Sequence, residues 1–296
     1  MSKPHSAKIN LFIVGAQKSA TTSLKHYLGE HPEIVSHPQK ELSYFIDDTE
    51  YSHGVKPMMD KYFTKNGKST EGKKLVAKCA LMYTTDKGLK RLKEYNPQSK
   101  IIFIVRNPVE RTYSGYLMDK DIAGHEFSAA ELKKLVKSTD DWKYGMFIDS
   151  SIYVKHLKNL YNYFPKEQVK VLLYEDIKSN AAAICKEVFK WLGVSESFTP
   201  ETDRKYNATL KKKSNAYSKL LRKVFVPHSV ARKIFNTVVP EHYNYKVGEA
   251  LHNLNKKSTG YNNMDAGAKA FLHEFYRPYN KELAELTGFD LSSWEK

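Results

Sequence analysis

The sequence predicts an α/β fold: a P-loop-like doubly wound parallel sheet, flanked by helices on both faces and built as a single domain over residues 1–296. Three observations predict it. Leu11–Val14 and Ile101–Val105 are unbroken apolar runs and Val169–Tyr174 is nearly so, which is how strands buried on both faces read. Each run is followed by a helical pattern, and strands alternating with helices give parallel sheets. The length and a hydrophobic content of 41% suffice for one sizeable α/β core. Residues 203–260 read as a lid or a substrate-side insertion in that domain.

Taken in order, the first element is the strand Leu11–Val14, which stops at Gly15. Gln17-Lys18-Ser19-Ala20-Thr21-Thr22 then forms a tight small-residue loop. A helix follows with Leu24, Tyr27 and Leu28 on one face and Gly29 and Pro32 as its stop. Strand, loop and hydroxyl-capped helix aim backbone N–H groups and a helix dipole at one point, which suits a phosphate. The loop departs from the Walker pattern, which requires Gly at position 20 and Lys at 21; an ATPase reading is poor. Alone, this stretch is equally an ordinary strand–turn–helix with an exposed lysine.

Ile34-Val35 is a short strand candidate. Lys40-Glu41 precedes the apolar Tyr44-Phe45-Ile46, and a carboxylate beside a lysine and aromatics is either a cleft group of tunable pKa or a surface ion pair. Residues 49–74 are polar and lysine-rich and read as a surface segment. Leu75–Cys79 is a short buried strand with Lys78 near its carboxyl end, where open α/β sheets face ligand; the plain alternative is a lysine reaching solvent. Ile101–Val105 ends at Arg106, and Pro108 opens a helix. Arg111 and Ser114 share a face of that helix, so Arg106 with Ser114 makes a second anion site suited to bidentate phosphate binding.

Further helices are expected over Ser128–Lys137, over Ile152–Phe164 to Pro165, and over Ala181–Leu192 with Gly193 after it. Another covers Asp265–Tyr276, and a last one runs from about Pro278 to Thr287 with Gly288 at its C′ position. Residues 203–246 give no clear pattern, and Lys211–Lys213 reads as a solvated basic run.

The net charge of +15 implies an anionic partner, or simply a soluble surface. No apolar run reaches the ~20 residues of a membrane span, and the polar N-terminus has no signal-peptide core. Two cysteines make no disulfide framework. The chain as it stands reads as cytoplasmic, with a Golgi-luminal domain cut from its anchor as the alternative. The histidines show no metal-ligand spacing.

Together the motifs resemble the sulfotransferases that use 3′-phosphoadenosine 5′-phosphosulfate (PAPS), and in pattern their carbohydrate, heparan-sulfate-type branch. Gly15–Thr22 looks like the family's 5′-phosphosulfate loop, and Arg106-Asn107-Pro108 with Ser114 like its 3′-phosphate motif. Lys40-Glu41 with Phe45 resembles the segment of the catalytic carboxylate. Phe164-Pro165, Gln168, Tyr174-Glu175-Asp176, Leu283–Gly288 and Trp294 resemble later landmarks. Three positions depart from the pattern. Ala20 replaces a glycine, Cys79-Ala80 replaces a hydroxyl residue and proline, and Lys257-Ser258-Thr259 stands where the heparan branch has Lys-Gly-Arg.

The resemblance implies transfer of a sulfonyl group from PAPS to an acceptor hydroxyl, leaving 3′-phosphoadenosine 5′-phosphate (PAP), with no metal. Glu41, Lys18 and Lys78 are its catalytic candidates, and His37 is the alternative base. Gln17, Lys18, Ser19, Ala20, Thr21, Thr22, Arg106, Ser114 and Lys257 are its nucleotide-binding candidates. The partners it implies are PAPS and an anionic or neutral glycan, with neither nucleic acid nor a membrane span.

Overall fold

The structure, a computed structural model, describes residues 8–64, 69–123, 126–202, 210–212, 256–258 and 264–295. The chain divides into two compact units, Met1–Asn207 with Met264–Lys296, and Ala208–Asn263.

In the first unit five strands form one parallel sheet: β1 (Ile9–Gly15), β2 (Ile34–Ser36), β3 (Lys74–Lys78), β4 (Lys100–Val105) and β5 (Val169–Leu173), in the order β2-β3-β1-β4-β5. All five lie where the apolar runs place them. Period-two alternation sends successive side chains to opposite faces. Phe12, Val14, Ala77, Phe103 and Val105 join one core and Leu11, Ile13, Val76, Ile102 and Ile104 the other. The second face is covered by α1 (Thr21–Gly29) and α8 (Tyr174–Leu192), which contribute Leu24, Leu28, Val188 and Phe189. The first is covered by α4 (Asp86–Tyr95), α7 (Tyr153–Tyr163) and α9 (Ala266–Thr287), through Leu89, Leu157 and Leu272. With β1 flanked by β3 and β4, the chain reverses its winding direction beside β1, and the carboxyl ends of these strands frame the usual ligand crevice of such sheets.

Between β2 and β3 lie α2 (Asp48–Ser52), α3 (Val55–Met59) and a one-turn helix at Asp60–Thr64. Here the structure corrects the surface reading of residues 49–74: Met58, Met59, Tyr62 and Phe63 are core residues. The lysines around them mask an apolar face only two turns long. After β4 come α5 (Pro108–Ala123) and α6 (Ala129–Leu135), the latter capped by Ser128.

Two helices differ from expectation in instructive ways. α8 starts at Tyr174, not Ala181, but Asn180 breaks it with φ −149° and ψ 71°. The Asn180 Oδ1 accepts the Ala183 N–H at 3.0 Å and so caps the segment that the sequence does predict. The two helices expected on either side of Arg277 are one, α9, with Pro278 inside it. A mid-helix proline costs about 3 kcal/mol. Leu272, Tyr276, Asn280 and Leu283 are buried along one stripe, so both halves pack on the same surface and the helix continues.

The second unit contributes the antiparallel pair β6 (Leu210–Lys212) and β7 (Lys256–Ser258). Most of the 203–260 segment therefore lies outside the described residues. Among the described residues no helix is long and apolar enough to cross a membrane.

Candidate functional site

The loop between β1 and α1 is shaped by backbone geometry. The Ala16 N–H donates to Ile104 O at 2.9 Å, tying the loop to β4, and the Ser19 N–H donates to Ala16 O at 3.2 Å. Lys18 (φ 74°) and Ala20 (φ 59°) both take left-handed backbone conformations, which cost a residue with a Cβ roughly 1–2 kcal/mol each. Alternating handedness turns successive N–H groups toward a common concavity, the geometry of an anion nest. Ala20 is the N-cap residue of α1 and supplies no side-chain cap. The helix is thus not hydroxyl-capped as the sequence suggested. Its first N–H groups have no intrahelical acceptor, and those of Thr21 and Thr22 lie at the helix end that meets the loop. The Ser19 hydroxyl is buried, with no hydrogen-bond partner among the described residues. These observations fit a bound phosphate or phosphosulfate group. Gly15 is required at the mouth because a Cβ there would lie 2.3 Å from the Tyr83 ring.

Beside this loop an ion pair and a hydroxyl meet from β3, the 37–43 segment and α1. Lys78, at the end of β3 and 1% exposed, donates from Nζ to Glu41 Oε1 at 2.7 Å and to Thr22 Oγ1 at 3.0 Å. Glu41 Oε2 accepts the Ala80 N–H at 2.9 Å, and a third of the Glu41 side chain is exposed. Burial pulls the Lys78 pKa down, opposed by the neighbouring Glu41. The carboxylate and ammonium thus meet at the rim of the loop, with the carboxylate open to solvent.

His37 has a different place. It is 1% exposed, and its Nε2 accepts the Lys78 backbone N–H at 3.1 Å. Its ring packs edge-on against Tyr62 and Phe63. Burial, and then the charges of Lys25 and Lys78, hold its pKa well below that of free histidine. A neutral, enclosed imidazole whose Nε2 is already engaged is a poor proton acceptor for an outside substrate.

Across the loop, two arginines hold its carbonyl side. Arg106, 3% exposed, donates from Nη1 to Lys18 O at 3.0 Å and from Nη2 to Glu110 Oε2 at 2.6 Å, and stacks over the Tyr174 ring at 4.4 Å. Glu175 lies near it, accepting the Asn107 N–H at 3.4 Å; burial raises its pKa and Arg106 opposes the shift. Arg111 is fully buried, with Nε on Gln17 O at 3.1 Å, Nη1 on Met146 O at 3.0 Å and a contact to Ser150 Oγ. With the carbonyls of Gln17 and Lys18 drawn toward arginines, the opposite side of the loop presents N–H groups.

The structure therefore brings together Gln17, Lys18, Ser19, Ala20, Thr21, Thr22, Glu41, Lys78 and Arg106. Ser114 is fully buried on α5, near Arg111 in sequence and on its helix face. Lys257 lies on β7 in the second unit, and its side chain is outside the described residues. Three residues of the site escape sequence reading. Arg111 is visible there only as a helix-face neighbour of Ser114. Lys25, whose Nζ donates to His37 O at 3.0 Å and Gln39 O at 2.7 Å, looks like an ordinary helix lysine. Tyr174 reads as a strand end. Among the described residues no group of three or more His, Cys, Asp or Glu is arranged to hold a metal ion.

A family described as "Sulfotransferase domain" matches residues 8–258. The mouse bifunctional heparan sulfate N-deacetylase/N-sulfotransferase 3 is 26% identical over 296 aligned residues, which cover 95% of this chain and 30% of that protein. The membrane-associated sulfotransferase kil1 of Dictyostelium discoideum is 22% identical, over 63% of this chain and 56% of its own. The chain thus spans about a third of the heparan-modifying relative it matches. Among solved structures, a sulfotransferase from Alicyclobacillus acidocaldarius superposes with a TM-score of 0.62 at 22% identity, covering 98% of this chain and 100% of that one. That likeness establishes the shared fold.

Proposed function

From the premise that the chain belongs to the sulfotransferase family, which the match over residues 8–258 establishes, we propose that it moves a sulfonyl group from PAPS to an acceptor hydroxyl on a carbohydrate. The observation that carries the reading is the convergence of Glu41, Lys78 and Thr22 at the rim of a loop preformed for an anion. PAPS supplies the activated sulfonyl group; the protein supplies position, charge and a base.

Each role follows from placement. Glu41 takes the acceptor proton: it is partly exposed, and Lys78 and the Ala80 N–H fix its orientation. The enclosed His37 supports Glu41 over His37 in this role. Lys18 and the N–H groups of Ser19, Ala20, Thr21 and Thr22 answer the charge that builds on the leaving phosphate. Gln17 lends its carbonyl to Arg111 and so keeps the loop turned outward. Arg106 and Ser114 hold the 3′-phosphate and thereby aim the nucleotide. Lys78 steadies the group in transfer from the acceptor side.

A carbohydrate acceptor is favoured by the similarity to a protein named for heparan sulfate and by the net charge of +15, more than one nucleotide needs. A small alcohol, amine or phenol is the competing acceptor class. The test is a panel of sulfated and unsulfated glycans, peptides and phenols with labelled PAPS, in EDTA, at low and high salt. Glycan labelling that survives EDTA, weakens with salt and is abolished by Glu41→Gln while PAP binding stays intact is the expected result. Labelling of phenols or small amines alone, with no glycan labelled at either salt, overturns the carbohydrate assignment. Strict dependence on added magnesium overturns metal-independent transfer, and an active Glu41→Gln moves the base elsewhere.

A further inference from the structure

Lys25 lies in α1, between the core residues Leu24 and Leu28, and is 1% exposed. A buried ammonium is costly unless its protons are satisfied. Here Nζ donates to His37 O at 3.0 Å and Gln39 O at 2.7 Å. Those carbonyls bracket the turn that leads directly into Lys40-Glu41. On its other side the same segment is tied to β3: the Lys78 N–H donates to His37 Nε2, and the Leu42 N–H donates to Lys78 O at 2.7 Å. The segment bearing Glu41 is therefore anchored to the strand that carries Lys78 and to the helix that starts at the anion loop, and Gln39 Nε2 and the Ser43 N–H also donate to Lys61 O at 2.8 Å and to the Tyr62 hydroxyl at 3.3 Å. Thr22 and Lys25 are three apart on that helix and so share a face. Thr22 meets Lys78, and Lys25 holds the backbone ahead of Glu41.

We propose that Lys25 is a positioning residue that sets Glu41 relative to the phosphate loop, so that one helix both begins at the donor site and carries the clamp for the base. The inference rests on the reading of Glu41 as the base. Its physical content is that the turn at His37–Gln39 has no regular secondary structure, and that the ammonium holds two of its carbonyls, beside the bonds of His37 to Lys78 and of Gln39 to Lys61. Loosening it displaces the carboxylate, and an error of about 1 Å at a reacting group can cost on the order of 100-fold in rate.

The experiment compares Lys25→Met, Lys25→Arg and the parent, with the rate expressed per PAP-binding site as titrated by calorimetry. Lys25→Met, which keeps the stem and loses the donors, is expected to lower kcat by about 10- to 100-fold while PAP affinity stays within about twofold. Lys25→Arg, which keeps donors, recovers part of the rate. A purely structural lysine would lower the melting temperature and the fraction of molecules that bind PAP, but not the rate per binding site. Lys25→Gln, a milder packing change, gives the same reading should Lys25→Met leave no PAP-binding fraction. A rate per site within twofold of the parent in Lys25→Met, or a parallel fall in PAP affinity and kcat, overturns the proposal. Full activity in Glu41→Gln instead overturns the assignment of the base, whatever Lys25 variants do.

Discussion

Replacing Arg106 by alanine separates two jobs that the structure gives to one guanidinium. Nη1 already donates to Lys18 O at 3.0 Å and Nη2 to Glu110 at 2.6 Å, with Tyr174 stacked beneath. Loss of the loop anchor weakens any nucleotide held through its 5′ side, whereas loss of a 3′-phosphate contact weakens PAP alone. A hydrogen bond to a charged group contributes about 1.5–3 kcal/mol, equivalent to roughly 10- to 150-fold in Kd. Calorimetry of PAP and 5′-AMP on the parent and on Arg106→Ala measures both effects. The expected outcome is that PAP binds the parent far more tightly than 5′-AMP, and that the substitution shrinks this ratio by about 10- to 150-fold. Equal weakening of PAP and 5′-AMP would leave Arg106 as a loop anchor only, and equal affinities in the parent would refute the 3′-phosphate site itself.

Gly15→Ala drives a Cβ to 2.3 Å from the Tyr83 ring, whose hydroxyl is held by Ser150 O at 2.7 Å. Overpacking of this kind costs about 1–3 kcal/mol, so calorimetric melting should shift down by several degrees, and an unchanged transition would show that Tyr83 gives way. His37 is kept neutral by burial, with its folded pKa well below the free value of 6.5. Below pH 6.5 the unfolded chain therefore binds a proton that the folded chain refuses. Stability should fall as the pH drops from about 6.5, by up to about 1.4 kcal/mol per unit from this residue. Urea titrations at pH 7, 6 and 5 should show a shallower decline for His37→Gln than for the parent; identical slopes would contradict the neutral assignment. Cys79 and Cys185 are buried thiols pushed up to about 12 by desolvation. Ellman's reagent should label neither in the folded protein and both in urea, and prompt labelling of the native chain would disprove their enclosure.

The strands of the sheet and the points where they end are legible in the amino-acid pattern alone. All five strands announce themselves as short apolar runs, because a parallel strand buried on both faces leaves few polar positions to blur the signal; Lys170 in the half-buried β5 is the interruption. The positions of Lys78 and Arg106 at strand ends, and of Lys18 in the loop after β1, follow from where those runs stop. Gly193 and Gly288 mark helix ends through their own left-handed backbone. Tertiary structure decided what local pattern cannot encode. The left-handed Ala20 in place of a side-chain cap depends on the path of the loop against Ile104. The single long α9 depends on a buried stripe that outweighs Pro278. The choice between Glu41 and His37 rests on which of two nearby side chains the 37–41 turn buries beneath Tyr62 and Phe63 and which it leaves at the rim. Lys25 and Arg111 look like ordinary helix residues in the sequence. Each becomes part of the site because its partners are backbone carbonyls brought in from distant segments, and a carbonyl carries no side-chain signature for a sequence to display.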